Sequence, residues 1–170
     1  MKVAITDACI FIDLHDLNLT NLLFKLPIEV HTSIDVFNEL YDNQKNVLWA
    51  FQSMGVLTVH NITGSERVEI YNRKYPKSLS NSDTTVLFLA EKLLAIILSS
   101  DKQVRNNAKH RTIEYHGMFW IVDTLLAQNL LSKQDAIQKI RQLITTNVIY
   151  QNSVELVKEM NKRIKEWSKP

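Results

Sequence analysis

Four acidic residues, Asp7, Glu39, Asp83 and Asp101, stand where a carboxylate has little structural reason to be. Asp7 and Asp101 each close a short apolar run with the character of a buried strand, residues 2–6 (KVAIT) and 95–98 (AIIL). Asp83 falls in the first turn of an apolar helix, and Glu39 lies between Val36 and Leu40 on the margin of an apolar helix face. If the two strands are neighbours, all four side chains can converge on one sheet edge, where carboxylates repel one another unless a cation neutralises them. A donor set made only of oxygens selects a hard ion, Mg²⁺ or Mn²⁺. Such an ion suits phosphodiester hydrolysis, because it activates water, binds the scissile phosphate and stabilises the leaving oxygen. Each position also has an ordinary use: Asp83 as a helix-dipole complement, Asp7 as a turn former, Asp101 as a helix cap, Glu39 as a surface charge.

The elements that must position these residues centre on 79–105 (LSNSDTTVLFLAEKLLAIILSSDKQVR), read as a helix followed by a strand covered on both faces. Ser82 or Asn81 can cap that helix, and its apolar residues, Leu93 and Leu94 included, leave little of it for water. Ahead of it come strands at 2–6, 28–31 and 56–59. Helices are expected over 10–17, 19–26, 34–40 (capped by Thr32 or Ser33), 47–54 (ended by Gly55) and 64–75 (opened by a Thr63/Glu66 capping box). A polar helix over 102–110, a marginal strand at 112–115 and helices over 119–131, 132–145 and 153–167 follow. Strands alternating with helices give the α/β class, with three α/β/α layers around a central, mostly parallel sheet of four or five strands and a helical C-terminal flank. The expectation is one domain over 1–170, its core about 1–130, with helices about 132–167 packed on it. Ligands of open α/β sheets bind beyond the carboxyl ends of the strands, where Asp7 and Asp101 would lie.

Composition narrows the classes further. No apolar run approaches the ~20 residues that cross a bilayer, and the N-terminus lacks the regions of a signal peptide. The single cysteine, Cys9, excludes an internal disulfide or a cysteine metal site and agrees with a cytoplasmic setting. It is expected to pack under the first helix. Three glycines leave no phosphate-cradling loop, and the net charge of +2 permits a nucleic-acid partner without arguing for one. Asp13, Asp16, Asp35 and Asp42 read as solvated helix charges.

Taken in order, VAITDACIFIDL, IDVFNEL, LSNSDTTVLFLA, IILSSDKQVRNNA and IEYHGMFWIVDTLL resemble the PIN domain, including the PIN proteins of toxin–antitoxin pairs. The resemblance covers residues 1–130. It implies a Mg²⁺- or Mn²⁺-dependent endoribonuclease on a parallel α/β sheet, in a family often dimeric and often inhibited by a small cognate antitoxin. The family's acidic residues fall on Asp7, Glu39, Asp83 and Asp101, with Ser99 in place of a usual threonine. Many members add an Asp or Asn three or four residues later, where this chain has Val104 and Arg105, and that departure leaves one metal or two open. Ser80 and Ser99 are expected to orient Asp83 and Asp101, while Lys102 and Arg105 are candidates for the phosphates flanking the cut. The reading from another class is a non-catalytic PIN-like module that binds RNA or protein. A phosphatase with an aspartyl nucleophile is disfavoured, because Cys9 occupies the place of its usual second aspartate.

Overall fold

A computed structural model describes residues 1–169. Its contacts gather the chain into two compact units, one formed by Met1–Ile12 and Pro27–Gly117, the other by Asp13–Leu26 and the residues from Met118 onward.

The first unit holds the whole sheet: β1 (Lys2–Thr6), β2 (Ile28–Ser33), β3 (Leu57–His60), β4 (Ile96–Leu98) and β5 (Tyr115–His116). All neighbours pair in parallel in the order β3-β2-β1-β4-β5. Flanked by helices, this sheet gives the three-layer α/β/α class. Chain order reverses direction at β1, which pairs with β2 on one side and β4 on the other. Between β1 and β4, at their carboxyl ends, lies the crevice that such a reversal creates. Ala4, Ile5, Ile97 and Leu98 are buried, as continuous apolar strands require.

The helices of this unit follow from their caps and apolar faces. They are the start of α1 (Ala8–Asp16), then α3 (Ile34–Glu39), α4 (Asp42–Ser53), α5 (Gly64–Asn72), α6 (Asn81–Leu93) and α7 (Lys102–His110). Ser33 caps α3 by accepting from Val36 N, and the expected Thr63/Glu66 box opens α5. In α6, Val86 through Ala90 are buried, and the helix contacts β1, β2 and β4. Its cap is Ser80, one residue before Asn81 and two before Ser82, because Ser80 Oγ accepts from Asp83 N while the Asp83 carboxylate accepts from Ser80 N. Leu94 departs from expectation too: it closes α6 in the left-handed conformation, φ 51°, and is 95% exposed. Helix α4 begins five residues before Val47, since Gln44 Oε1 accepts from Tyr41 N and secures an earlier start. Gly55 has the expected positive φ, 73°.

The second unit contains the end of α1, then α2 (Thr20–Leu23), α8 (Met118–Ala127), α9 (Lys133–Thr146), α10 (Val148–Asn152) and α11 (Val154–Trp167). Asp123 on α8 receives three hydrogen bonds from Arg163 on α11, whose guanidinium also lies 4.8 Å from the Phe119 ring. Asp13 is not the solvated charge expected: it is 2% exposed, and its Oδ1 accepts from Asn147, the cap of α10. Among the described residues no helix is long and apolar enough to cross a membrane.

Candidate active site

Asp7 sits one residue beyond β1, with its backbone N–H extending the ladder to Leu98 O at 3.0 Å. That places its side chain at the carboxyl end of two buried strands, 4% exposed. The carboxylate is held from several directions: Oδ1 accepts from Ala8 N at 2.7 Å, and Oδ2 accepts from Ser99 Oγ at 2.7 Å and from the Cys9 thiol at 3.3 Å. Burial pushes its pKa up to about 6; the Ser99 bond works against that rise, and the charge of Asp83 adds to it. Asp83 is therefore close enough to press negative potential onto a buried carboxylate.

Three serines tie the other acids to this edge. Ser99 lies between two of them, donating to Asp7 while its Oγ accepts from Asp101 N at 3.1 Å. Ser82, on the turn that carries Asp83, donates to Glu39 Oε1, and its Oγ lies 3.2 Å from that of Ser80. Glu39 comes within reach because Ser33, at the start of α3, bonds Thr85 of α6 at 2.6 Å and so locks the two helices together. Asp101 caps α7, with Oδ1 accepting from Gln103 N at 2.7 Å and Val104 N at 3.0 Å.

The expected convergence of all four acids on one point is narrower in the structure. Among the described residues, no three His, Cys, Asp or Glu side chains stand close enough to hold one ion. The charge of Asp83 reaches Asp7, while the Asp83 carboxylate accepts from Ser80 N at the start of α6; Asp101 is likewise turned toward a helix terminus, and Glu39 is exposed at the rim. Of the two serines, Ser80 bonds Asp83 as expected, whereas the Ser99 hydroxyl orients Asp7 directly and Asp101 only through its backbone. Lys102 is exposed at the start of α7, whereas the Arg105 guanidinium lies 5.2 Å from the Tyr115 ring and packs there.

Two contributors escaped the sequence reading. Instead of packing away under α1, Cys9 puts its sulfur between Asp7, Ser99 and the Ser100 N–H, and burial, then the charge of Asp7, pushes its pKa well up, so it serves as a protonated donor. Its position two residues after a strand-end aspartate was the available signal. Ser82, read only as a cap, is the donor to Glu39.

Residues 3–166 match the family model DUF3368, described as a PIN domain. The chain belongs to the PIN domain family. Among solved structures this PIN domain is similar to a domain of a functionally unknown protein from Methanocaldococcus jannaschii DSM 2661, with 21% identity over 69% of this chain and 91% of that one and a TM-score of 0.49. Comparison with curated proteins found no match. PIN domains are commonly nucleases and generally use divalent metals.

The residues present fit such an ion in a restricted way. Mg²⁺ keeps several of its waters and needs only one or two carboxylates from a protein. Asp7 and Asp83 offer hard oxygen donors; the Asp7 pKa is raised chiefly by burial, with a smaller addition from the charge of Asp83, and a bound cation would oppose both. Oriented by Ser99 and the Ala8 N–H, Asp7 is the pre-set member of that pair.

Proposed function

We propose that this PIN domain is an endoribonuclease that depends on Mg²⁺ or Mn²⁺ held by Asp7 and Asp83. The observation that carries the reading is the buried Asp7 carboxylate, fixed at the strand-reversal point by Ser99 and the Ala8 N–H and within reach of the charge of Asp83. When bound, the ion would supply Lewis-acid activation of water and charge neutralisation at the scissile phosphate. Ser99 and the Ala8 N–H hold Asp7 in one orientation, so no rearrangement is required when ion and substrate arrive. Glu39, kept at the rim by Ser82, orients the attacking water in this reading. Asp101 contributes through water, since one of its oxygens is committed to the N–H groups of α7.

By the family likeness, the proposal extends to the toxin of a toxin–antitoxin pair, working in the cytoplasm, inhibited by a small antitoxin and able to form a homodimer. The test is cleavage of a labelled RNA in Mn²⁺, Mg²⁺ and EDTA. Cleavage with either metal and none in EDTA supports the reading, and its absence with both metals contradicts it.

One observation favours a second reading, a PIN-like module that binds RNA or protein without cutting. Asp101 caps a helix, and the position where many PIN domains add a further acid holds Val104, fully buried and unable to serve an ion. A chain that binds RNA but leaves it intact in both metals would select this alternative.

A further inference from the structure

Beside the acidic edge, the chain between α5 and α6 encloses a cleft of about 620 Å³, the size of a small-ligand pocket rather than of a duplex groove. Its wall includes Tyr71, Lys74, Tyr75, Lys77, Thr84 and Thr85. Thr84 and Thr85 belong to the same helical turn as Asp83, so the cleft opens within about 5 Å of rise along α6 from the proposed ion site.

Its charge is one-sided. Arg67, Lys74 and Lys77 line it, and no acidic residue does. Arg67 is neutralised by two bonds to Asp35, each 3.1 Å, whereas Lys74 and Lys77 have no carboxylate partner among the described residues. Lys74 is held at the bend after α5 in the left-handed conformation, φ 50°. Of the two aromatic side chains in the wall, Tyr71 is the one open to a ligand. Tyr71 is 83% exposed, and Tyr75 is braced by the Arg111 guanidinium 4.3 Å from its ring. An exposed aromatic side chain beside unpaired cations is what a single-stranded nucleic acid requires: a surface on which an unstacked base can lie and charges for the flanking phosphates.

We infer that this cleft is a base-binding subsite for single-stranded RNA, in which a base stacks on Tyr71 while Lys74 and Lys77 bind the phosphates beside it. The inference rests on the nuclease reading for its choice of RNA and names the form that the substrate takes. A strand seated there runs over the first turn of α6 and delivers an adjacent phosphate to Asp83 and Asp7. An acidic peptide would use the two lysines but gain little from an aromatic platform, and duplex RNA would have its bases already stacked.

The probe is a fluorescein-labelled RNA of about ten nucleotides, within the span that single-strand sites cover, followed by anisotropy with the full chain in EDTA. Tyr71→Ala should weaken binding about 10-fold. The Lys74→Gln, Lys77→Gln double variant should weaken it about 10-fold or more and lower the dependence on salt by about one or two units of slope. A charge-matched control, Lys158→Gln with Lys165→Gln, should change affinity less than about 2-fold, and thermal melting should match the parent for all three. Unchanged binding by the Tyr71 and lysine variants overturns the subsite, as does equal affinity for the same sequence as a duplex. The nuclease reading is scored separately, by adding Mn²⁺ to the parent chain. Variant-sensitive binding without cleavage would sink the nuclease and keep the subsite, and cleavage with variant-insensitive binding would do the reverse.

Discussion

Asp7 and Asp13 are two buried aspartates near the two ends of α1, and burial pushes both up to about 6. Their surroundings differ. Asp7 has three donors on its carboxylate and lies within reach of the charge of Asp83. Asp13 has the Asn147 amide on one oxygen, while its other oxygen is buried with no hydrogen-bond partner among the described residues. The nearby charge that adds to its rise is that of Asp16, an exposed helix residue. A perturbed carboxyl is therefore not a site by itself. Each has a second acid within electrostatic reach, so what separates the two is the place of Asp7 at the carboxyl end of β1 and the three donors that fix its carboxylate.

The comparison breaks most easily at catalysis. Asp7→Asn should cut metal-dependent RNA cleavage by about 10³-fold, equivalent to ~4 kcal/mol of barrier. Asp13→Asn should leave it within about 2-fold; equal losses would erase the distinction. Next in size, Ser99→Ala removes the hydroxyl that orients Asp7 and accepts from Asp101 N, and should lower cleavage or Mn²⁺ affinity about 10- to 100-fold.

Asp13 should declare itself in stability instead. Its folded value of about 6 lies above the ordinary 3.8, so folding favours the protonated form. The stability this adds is complete below about pH 4 and is lost as pH rises through about 6. Asp13→Asn, neutral throughout, should exceed the parent by about 2 kcal/mol at pH 8 and match it near pH 4 in urea unfolding. A constant difference at both pH values would contradict this. The smallest effect belongs to Ser80→Ala, which loses the α6 cap and should cost about 1 kcal/mol of stability.

Much of this was legible in the sequence where local rules act alone. Short apolar runs ending in Asp7 and in Ser99–Asp101 marked β1 and β4, and the Thr63/Glu66 spacing marked the start of α5. The α6 cap falls at Ser80, one residue before Asn81 and two before Ser82, because all three are competent caps and only the reciprocal bond with Asp83 decides among them. Leu94 resembled a core residue by composition, yet the chain turns into β4 at that point and leaves it in solvent. Asp13 was misjudged because its burial depends on Asn147, 134 residues away. The same holds for Ser82, whose partner Glu39 is 43 residues away, and for the contacts of Cys9 with Ser99 and Ser100, though not for its local bond to Asp7. Likewise, the sequence supplied the four acids but not which two would interact, since that depends on how α3 and α7 terminate.

Calorimetric titration with Mn²⁺ addresses the central claim, that Asp7 and Asp83 together form a cation site. The account predicts a binding isotherm for the parent and for Asp13→Asn, lost in both Asp7→Asn and Asp83→Asn while all four proteins remain folded. Undiminished Mn²⁺ binding by Asp7→Asn, or no binding by the parent, would contradict it.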